Sequence, residues 1–114
     1  MKEIAGCKIY KEEKILLLHR IDKNHWELPG GKIKEGETPE QTTKREAKEE
    51  IGCEIEILNF LKVMDFKINN ETIKSHQFSA KIVKGTPFIK EKNVFDKIDY
   101  IDINKEKKLA PNLK

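Results

Sequence analysis

Three glutamates indicate the chemistry of this chain. Glu46, Glu49 and Glu50 stand within five consecutive residues, and in a helix, which turns by about 100° per residue, they would share one face. Carboxylates so close together repel one another, and a divalent cation would neutralise that repulsion. Mg²⁺ (or Mn²⁺) suits such a cluster, because these ions prefer oxygen ligands and Mg²⁺ commonly bridges carboxylates to substrate phosphates. The glutamates therefore predict a metal site that acts on phosphates.

A helix over Pro39–Ile51 is predicted to carry these glutamates. Thr38, Pro39 and Gln41 match a capping box with proline at the first helical position. Gly52 follows where a left-handed C-terminal cap belongs. The segment has few apolar residues and hence a narrow core-facing stripe. Taken alone, so charged a segment is also typical of a solvated helix that performs no chemistry.

Residues 31–53 resemble the Nudix box, G-x5-E-x7-R-E-U-x-E-E-x-G-U. Every glycine, glutamate and arginine of that pattern stands at its required spacing between Gly31 and Gly52. The departure is Cys53, where the pattern has a bulky aliphatic residue; a buried thiol behaves as a small hydrophobe. The stretch Trp-Glu-Leu-Pro-Gly-Gly-Lys, residues 26–32, is similar to the segment before the box in MutT-type members. The sequence thus resembles a MutT-type Nudix hydrolase.

The resemblance implies roles for the box residues. The metal ligands that it implies are Gly30, through its carbonyl oxygen, Glu46, Glu49 and Glu50. Glu49 or Glu50 would also orient or deprotonate the attacking water, and the sequence does not choose between them. In a cluster of coupled carboxylates, the titration belongs to the group and not to one residue.

Four more charged residues have roles that are structural or concern a further metal ligand. Glu37 and Arg45 are predicted to form an ion pair that ties the box loop to the helix. Many family members supply another acidic ligand from a later loop. Glu91 and Asp96 are the candidates for that ligand in this chain.

Four residues are candidates for contact with the substrate. Arg20 closes an apolar strand, where its cation could hold a phosphate. Trp26, the only tryptophan, precedes the box and could stack on a base, and Phe78 could face the same cleft. Asn112 follows Pro111 in a segment that resembles MutT-type members, in which an asparagine after proline can read the edge of a purine. Each candidate has a competing interpretation. Arg20 would be an exposed arginine without a function, both aromatic residues would pack in the core, and Asn112 would belong to a frayed terminus.

The pattern of apolar residues predicts strands on both sides of the helix. These strands cover residues 4–10, 15–19, 54–60 with an extension or a second strand to 68, 72–83 and 98–103. A helical turn is predicted over residues 104–109, before Pro111. The resemblance implies an α+β fold in which a mixed β-sheet lies between helices. The whole chain, residues 1–114, is predicted to be one domain.

Composition limits the class of protein. Without an apolar run of about 20 residues or a signal-peptide pattern, the chain is expected to be cytoplasmic and to contact no membrane. Its net charge of +3 comes from lysines spread along the chain and only 7% of residues are aromatic, which argues against a nucleic-acid surface. Cys7 and Cys53 give neither a disulfide framework nor a zinc signature.

The predicted function is metal-dependent hydrolysis of a nucleoside diphosphate linked to another moiety. The favoured substrate is a nucleoside triphosphate, oxidised purines included, and the products would be a nucleoside monophosphate and pyrophosphate. The alternatives are ADP-ribose, a nucleotide sugar or a dinucleotide as substrate, and a module that binds nucleotide without hydrolysing it. A homodimer is an expectation from the family.

Overall fold

A seven-stranded mixed sheet forms most of the computed structural model, which describes residues 2–113. The strands are β1 (Lys2–Lys11), β2 (Lys14–Arg20), β3 (His25–Glu27), β4 (Gly30–Lys32), β5 (Glu54–Ile68), β6 (Glu71–Lys84) and β7 (Phe95–Ile101). The helix α1 spans Pro39–Ile51, and a 3₁₀ turn spans Pro111–Leu113.

Strand β1 organises the sheet. It pairs in parallel with β6, residues 2–9 against residues 73–80, and antiparallel with β4 through residues 4–6. It meets β2 only at residues 10 and 11, and β2 continues between β3 and β7. Outer strand β5 pairs with β6. Strand β1 therefore lies between β4 and β6, and it alone separates the glycines of β4 from the middle of β6.

The helix has the predicted bounds, and its caps explain them. Thr38 Oγ1 accepts a hydrogen bond from the Gln41 N–H at 3.1 Å, and Gln41 Oε1 accepts one from the Thr38 N–H at 2.9 Å. Gly52 ends the helix with a φ of 70°, a left-handed conformation that glycine adopts without strain. The predicted helix is therefore confirmed at both ends.

Strand β2 alternates its side chains between two cores. One core contains Leu16 and Leu18 together with Ala47 and Ile51 of α1. The other contains Ile15 and Leu17 together with Leu109 and Leu113. Because successive residues of a strand point to opposite faces, α1 and the C-terminal turn cover opposite faces of β2.

The α+β class and the mixed sheet are confirmed, whereas the predicted helical turn over residues 104–109 is wrong. Leu109 is buried and forms an isolated parallel bridge with Trp26. This bridge requires extended backbone, and the charged residues before it form only turns and bends. The sheet accordingly lies between α1 and the 3₁₀ turn Pro111–Leu113, and not between two α-helices.

The strands differ from the prediction in detail. Strands β3 and β4 were not predicted, because three residues are too few to display a period of two. Strand β5 is one long strand with register shifts at Leu58 and Leu61, and both side chains are exposed. Both cysteines are buried and free. In the described part of the chain, no helix is both long enough and apolar enough to cross a membrane.

Candidate active site

Two glycines of β4 contact two of the box glutamates. The N–H of Gly30 donates to Oε1 of Glu50 at 2.7 Å. A Cβ added to Gly31 would lie 2.6 Å from Cδ of Glu46, so glycine is needed for this carboxylate to rest against the backbone. A Cβ added to Gly30 would overlap the carbonyl oxygen of Ala5 in β1. The glycine pair is thus fitted between the central strand and the carboxylates.

Burial and mutual repulsion govern the charge of these carboxylates. Only 4% of Glu50 is exposed, and this burial raises the pKa of its carboxyl well above the usual value, against the opposing effect of the Gly30 N–H. The negative charges of Glu46, Glu27 and Glu91 raise that pKa further. Burial likewise raises the pKa of Glu46. A cation bound among these groups would favour their ionised forms.

Arg45 binds the other carboxylates of the box. Its Nε and Nη2 donate to the two oxygens of Glu37, at 2.6 and 3.0 Å. Its Nη1 donates to Glu46 Oε1 at 2.7 Å and to Glu49 Oε2 at 3.1 Å. The bonds from Arg45, with a further one from the Lys34 N–H, lower the pKa of Glu37 to about 2. The structure therefore places Glu37 and Arg45 in direct contact and joins the loop to α1.

The three helix glutamates do not converge on one point. Glu50 is turned toward Gly30, while Glu46 and Glu49 are turned toward Arg45. Within residues 2–113, no three His, Cys, Asp or Glu side chains are arranged as a metal site. The donor set nevertheless fits a hard divalent cation, because it consists of oxygen atoms and its carboxylates repel one another.

The two acidic candidates outside the box lie in different surroundings. The loop of Glu91 is fastened to the end of α1, where the N–H of Lys90 donates to the carbonyl of Glu50 at 3.1 Å. Glu91 lies near enough for its charge to raise the pKa of Glu46 and of Glu50. Asp96 instead lies 2.6 Å from Nδ1 of His19, which lowers the pKa of Asp96. Glu91 is therefore the candidate that faces the box carboxylates.

A cleft of about 370 Å³ is lined by the same glycine pair, Gly30 and Gly31. Its cationic lining residues are Lys2, Arg20, Lys23 and Lys32, and Glu27 is its only acidic lining residue among residues 2–113. Its larger apolar lining residues include Phe66, Ile68, Ile73 and Pro111. Cationic and apolar walls around such a volume suit a ligand that joins phosphates to an apolar ring.

Arg20 and Asn112, two of the predicted substrate residues, line this cleft. Arg20 donates through Nε to Glu27 Oε1, and its guanidinium carbon lies 5.1 Å from the ring centre of Phe95. Asn112 donates through Nδ2 to Ser75 Oγ at 3.2 Å. Both side chains are thus held by neighbours at the cleft wall.

Trp26 and Phe78 do not line the cleft, and for both of them the structure agrees with the competing interpretation, core packing. Trp26 packs against the core that contains Leu109, with its ring edge-on to His19 at 5.3 Å. Phe78 is buried beside Phe60, with ring centres 6.0 Å apart. On β6 the cleft residues are Ile73 and Ser75, so the alternation of the strand turns Phe78 to the other face.

Comparison with known proteins identifies the family of this chain. A model of the family described as NUDIX domain matches residues 2–114. The chain belongs to the Nudix family. Among solved structures, the MutT NUDIX hydrolase from Burkholderia pseudomallei is similar, with 25% identity and a TM-score of 0.89 over 98% of this chain and 92% of that chain.

Curated relatives of this Nudix protein match only over part of their length. The 8-oxo-dGTP diphosphatase of Buchnera aphidicola is 36% identical over 69 residues, which are 60% of this chain and 56% of the relative. The RNA pyrophosphohydrolase of Sulfurovum sp. is 46% identical over 57 residues, which are 48% of this chain and 36% of the relative. The matched region therefore spans about half or less of these relatives.

Sequence reasoning missed several residues of the Nudix cleft. Lys2, Lys23 and Lys32 look like other surface lysines, since nothing local shows that three separate segments converge. Ser75 also lines the cleft, and nothing in the sequence singles it out, because polar and charged residues occur throughout β6.

Proposed function

We propose that this Nudix protein is a divalent-metal-dependent pyrophosphohydrolase that converts a nucleoside triphosphate to a nucleoside monophosphate and pyrophosphate. One observation carries the proposal. Gly30 and Gly31 line the cleft, and they also contact Glu50 and Glu46. A phosphate chain in the cleft would therefore lie against the same two residues as the carboxylates.

The box supplies the ligands for the ion. The proposed ligands are the Gly30 carbonyl, Glu46, Glu49 and Glu50, with Glu91 as the acidic residue outside the box. A bound Mg²⁺ or Mn²⁺ would neutralise the charge on the phosphate oxygens and would lower the pKa of a bound water. Arg45 positions Glu46 and Glu49, because it donates to both carboxylates.

Glu50 is the proposed group that holds the proton of the attacking water. Its Oε1 is fixed by the N–H of Gly30, a residue that lines the cleft. Glu49 is exposed and bound to Arg45, so a role in holding the ion suits it better. A fixed acceptor next to the reacting phosphate is the arrangement that general-base catalysis requires.

The walls of the cleft support the choice of a nucleotide. Arg20, Lys23 and Lys32 place positive charge near the glycine pair, where a phosphate chain would be attracted. Phe66 and Ile73 offer an apolar surface for a base. Asn112 adds a polar amide to that surface. The relative named 8-oxo-dGTP diphosphatase supports an oxidised purine as the base.

The proposal is tested by measuring product release from a panel of substrates. The panel contains nucleoside triphosphates, oxidised purine nucleoside triphosphates, ADP-ribose and dinucleoside polyphosphates, each with Mg²⁺ or Mn²⁺ and with EDTA as the blank. We expect metal-dependent release of pyrophosphate and monophosphate from a triphosphate. If only ADP-ribose is turned over, ADP-ribose replaces the nucleoside triphosphate as the proposed substrate. Absence of turnover, with a melting temperature still raised by nucleotide, would instead indicate a binding module.

A further inference from the structure

A fully buried glutamine fastens the C-terminal turn to the sheet. Gln77 in β6 is 0% exposed, and its Nε2 donates to the main-chain carbonyl of Asn112 at 3.0 Å. The same Nε2 lies 3.7 Å from Sδ of Met64. Its Oε1 is buried and has no hydrogen-bond partner in the described part of the chain.

Packing alone does not account for a glutamine at this position. A buried amide oxygen without a partner is unfavourable, because it has lost its hydrogen bonds to water. Methionine has nearly the same shape and would avoid that loss. What glutamine adds is the N–H that reaches Asn112, across 35 positions of sequence.

A second bond acts on the side chain of the same asparagine. Asn112 Nδ2 donates to Oγ of Ser75 at 3.2 Å. The bond from Gln77 therefore fixes the distance between the C-terminal turn and β6. The bond to Ser75 fixes the orientation of the side-chain amide of Asn112. Both partners lie on one strand, two residues apart, on the face that forms the cleft wall.

We propose that Gln77 is a positioning residue for recognition of the nucleobase and acts through Asn112. The inference rests on the proposed function for the nature of the ligand, and on the two hydrogen bonds for the positioning itself. Loss of the Gln77 donor allows the turn to move, and the Asn112 amide then meets the base in a less favourable position. Binding of the base weakens, while the phosphates and the box are unaffected.

Three variants test the inference. Gln77→Met keeps the volume and removes the donor, and Ser75→Ala removes the partner of the Asn112 side chain. Ser79→Ala is the matched control, because its buried hydroxyl has no partner among the described residues and it lies two positions further along β6. KM and kcat are measured for the preferred nucleotide, the melting temperature is recorded, and ¹⁵N spectra report the side-chain amide of Asn112.

The expected result separates KM from kcat. Gln77→Met and Ser75→Ala should raise KM about fivefold to tenfold with kcat within about twofold, as expected when a hydrogen bond that only aids binding is lost. The Asn112 amide signals should shift or broaden in both variants and stay unchanged in Ser79→Ala. Equal KM values in Gln77→Met and Ser79→Ala would overturn the proposal.

The spectra keep this inference separate from the proposed function. If no substrate is turned over but the Asn112 signals change in Gln77→Met, the positioning is upheld and only the proposed reaction fails. If those signals are unchanged in Gln77→Met, Gln77 does not position Asn112 and the inference fails, whatever the activity.

Discussion

The N–H of Gly30 donates to Oε1 of Glu50 at 2.7 Å and joins strand β4 to the last turn of α1. This bond couples the wall of the cleft to the most buried of the box glutamates. It also lowers the pKa of that carboxyl, which burial raises, because the hydrogen bond favours the ionised form. The position of Glu50 thus depends on a strand of only three residues.

Replacement of Glu50 should separate activity from stability. Glu50→Gln keeps an oxygen that can accept the Gly30 N–H but removes the charge, so we expect kcat to fall at least about 100-fold. Without metal the variant should be no less stable than the wild type, because a buried charge is no longer required. Turnover and melting in EDTA measure the two effects. Glu56→Gln, at an exposed site in β5, is the control; near-full turnover of Glu50→Gln at saturating Mg²⁺ would contradict the role.

Alanine at Gly31 should impair the site more than the fold. The new Cβ would meet the Glu46 carboxylate, so we expect that side chain to be displaced and kcat to fall. Gly36→Ala is the matched control: among residues 2–113, no atom lies within 4 Å of its new Cβ, but its φ is +85°. That change should cost about 1 kcal/mol of stability and leave kcat unchanged. Both variants are compared by their kcat values and by urea unfolding. Equal kcat values would argue against a contact between the alanine at position 31 and the Glu46 carboxylate.

The ion pair of Glu37 with Arg45 should stabilise the protein in a defined pH range. The pKa of Glu37 is lowered to about 2 in the folded protein, so its contribution is present above its unfolded pKa, about 4.3. That contribution is lost as the pH falls toward 2. Urea unfolding of the wild type and of Glu37→Gln should therefore differ at pH 7 and converge toward pH 2. A constant difference across this range would show that the charge is not responsible.

Two aromatic residues should respond in opposite ways. Trp26 packs in a core, so Trp26→Phe should lower stability by about 1 to 2 kcal/mol and leave KM unchanged. Phe66 lines the cleft, so Phe66→Ala should raise KM with a smaller loss of stability. Denaturant unfolding and nucleotide kinetics on both variants make the comparison. A raised KM confined to Trp26→Phe would instead favour the interpretation in which a base stacks on Trp26.

Metal should stabilise the folded protein through the box. An ion that binds only the folded state at 100 times its Kd adds about 2.7 kcal/mol, and it also relieves repulsion among the carboxylates. We expect the melting temperature to rise with Mg²⁺ over EDTA, and Glu46→Gln to diminish the rise. Overlapping melting curves of the wild type with EDTA and with millimolar Mg²⁺ would count against a site in the folded protein.

The elements that were predicted correctly depend on local signals. The caps of α1 lie within a few residues of its ends, so Thr38, Gln41 and Gly52 sufficed to predict both bounds. The box spacing likewise placed the glutamates on one element. The turn at Asn69 and Asn70 is equally local, and both residues have positive φ values.

The face of the sheet to which a side chain points could not be predicted, because it depends on pairing between strands that are far apart in sequence. Alternation along β6 was visible, but the face that forms the cleft is set by the register of β6 with β1. Whether Phe78 faces the cleft or the core was therefore left open by the sequence. The helical turn over residues 104–109 was predicted wrongly for a similar reason, since the bridge of Leu109 to Trp26 joins segments far apart in sequence.

The parallel pairing of β1 with β6 also orders the assembly of the molecule during synthesis. Residues 2–9 leave the ribosome long before residues 73–80, their partners. Helix α1 carries its own caps and can begin to form without them, but Gly30 is placed by β1, and β1 is held by β6. A nascent chain that lacks β6 carries an unpaired strand edge, and pairing across so long a loop is slow. We therefore expect the geometry around Glu50 to be completed late in folding, after the helix that carries it.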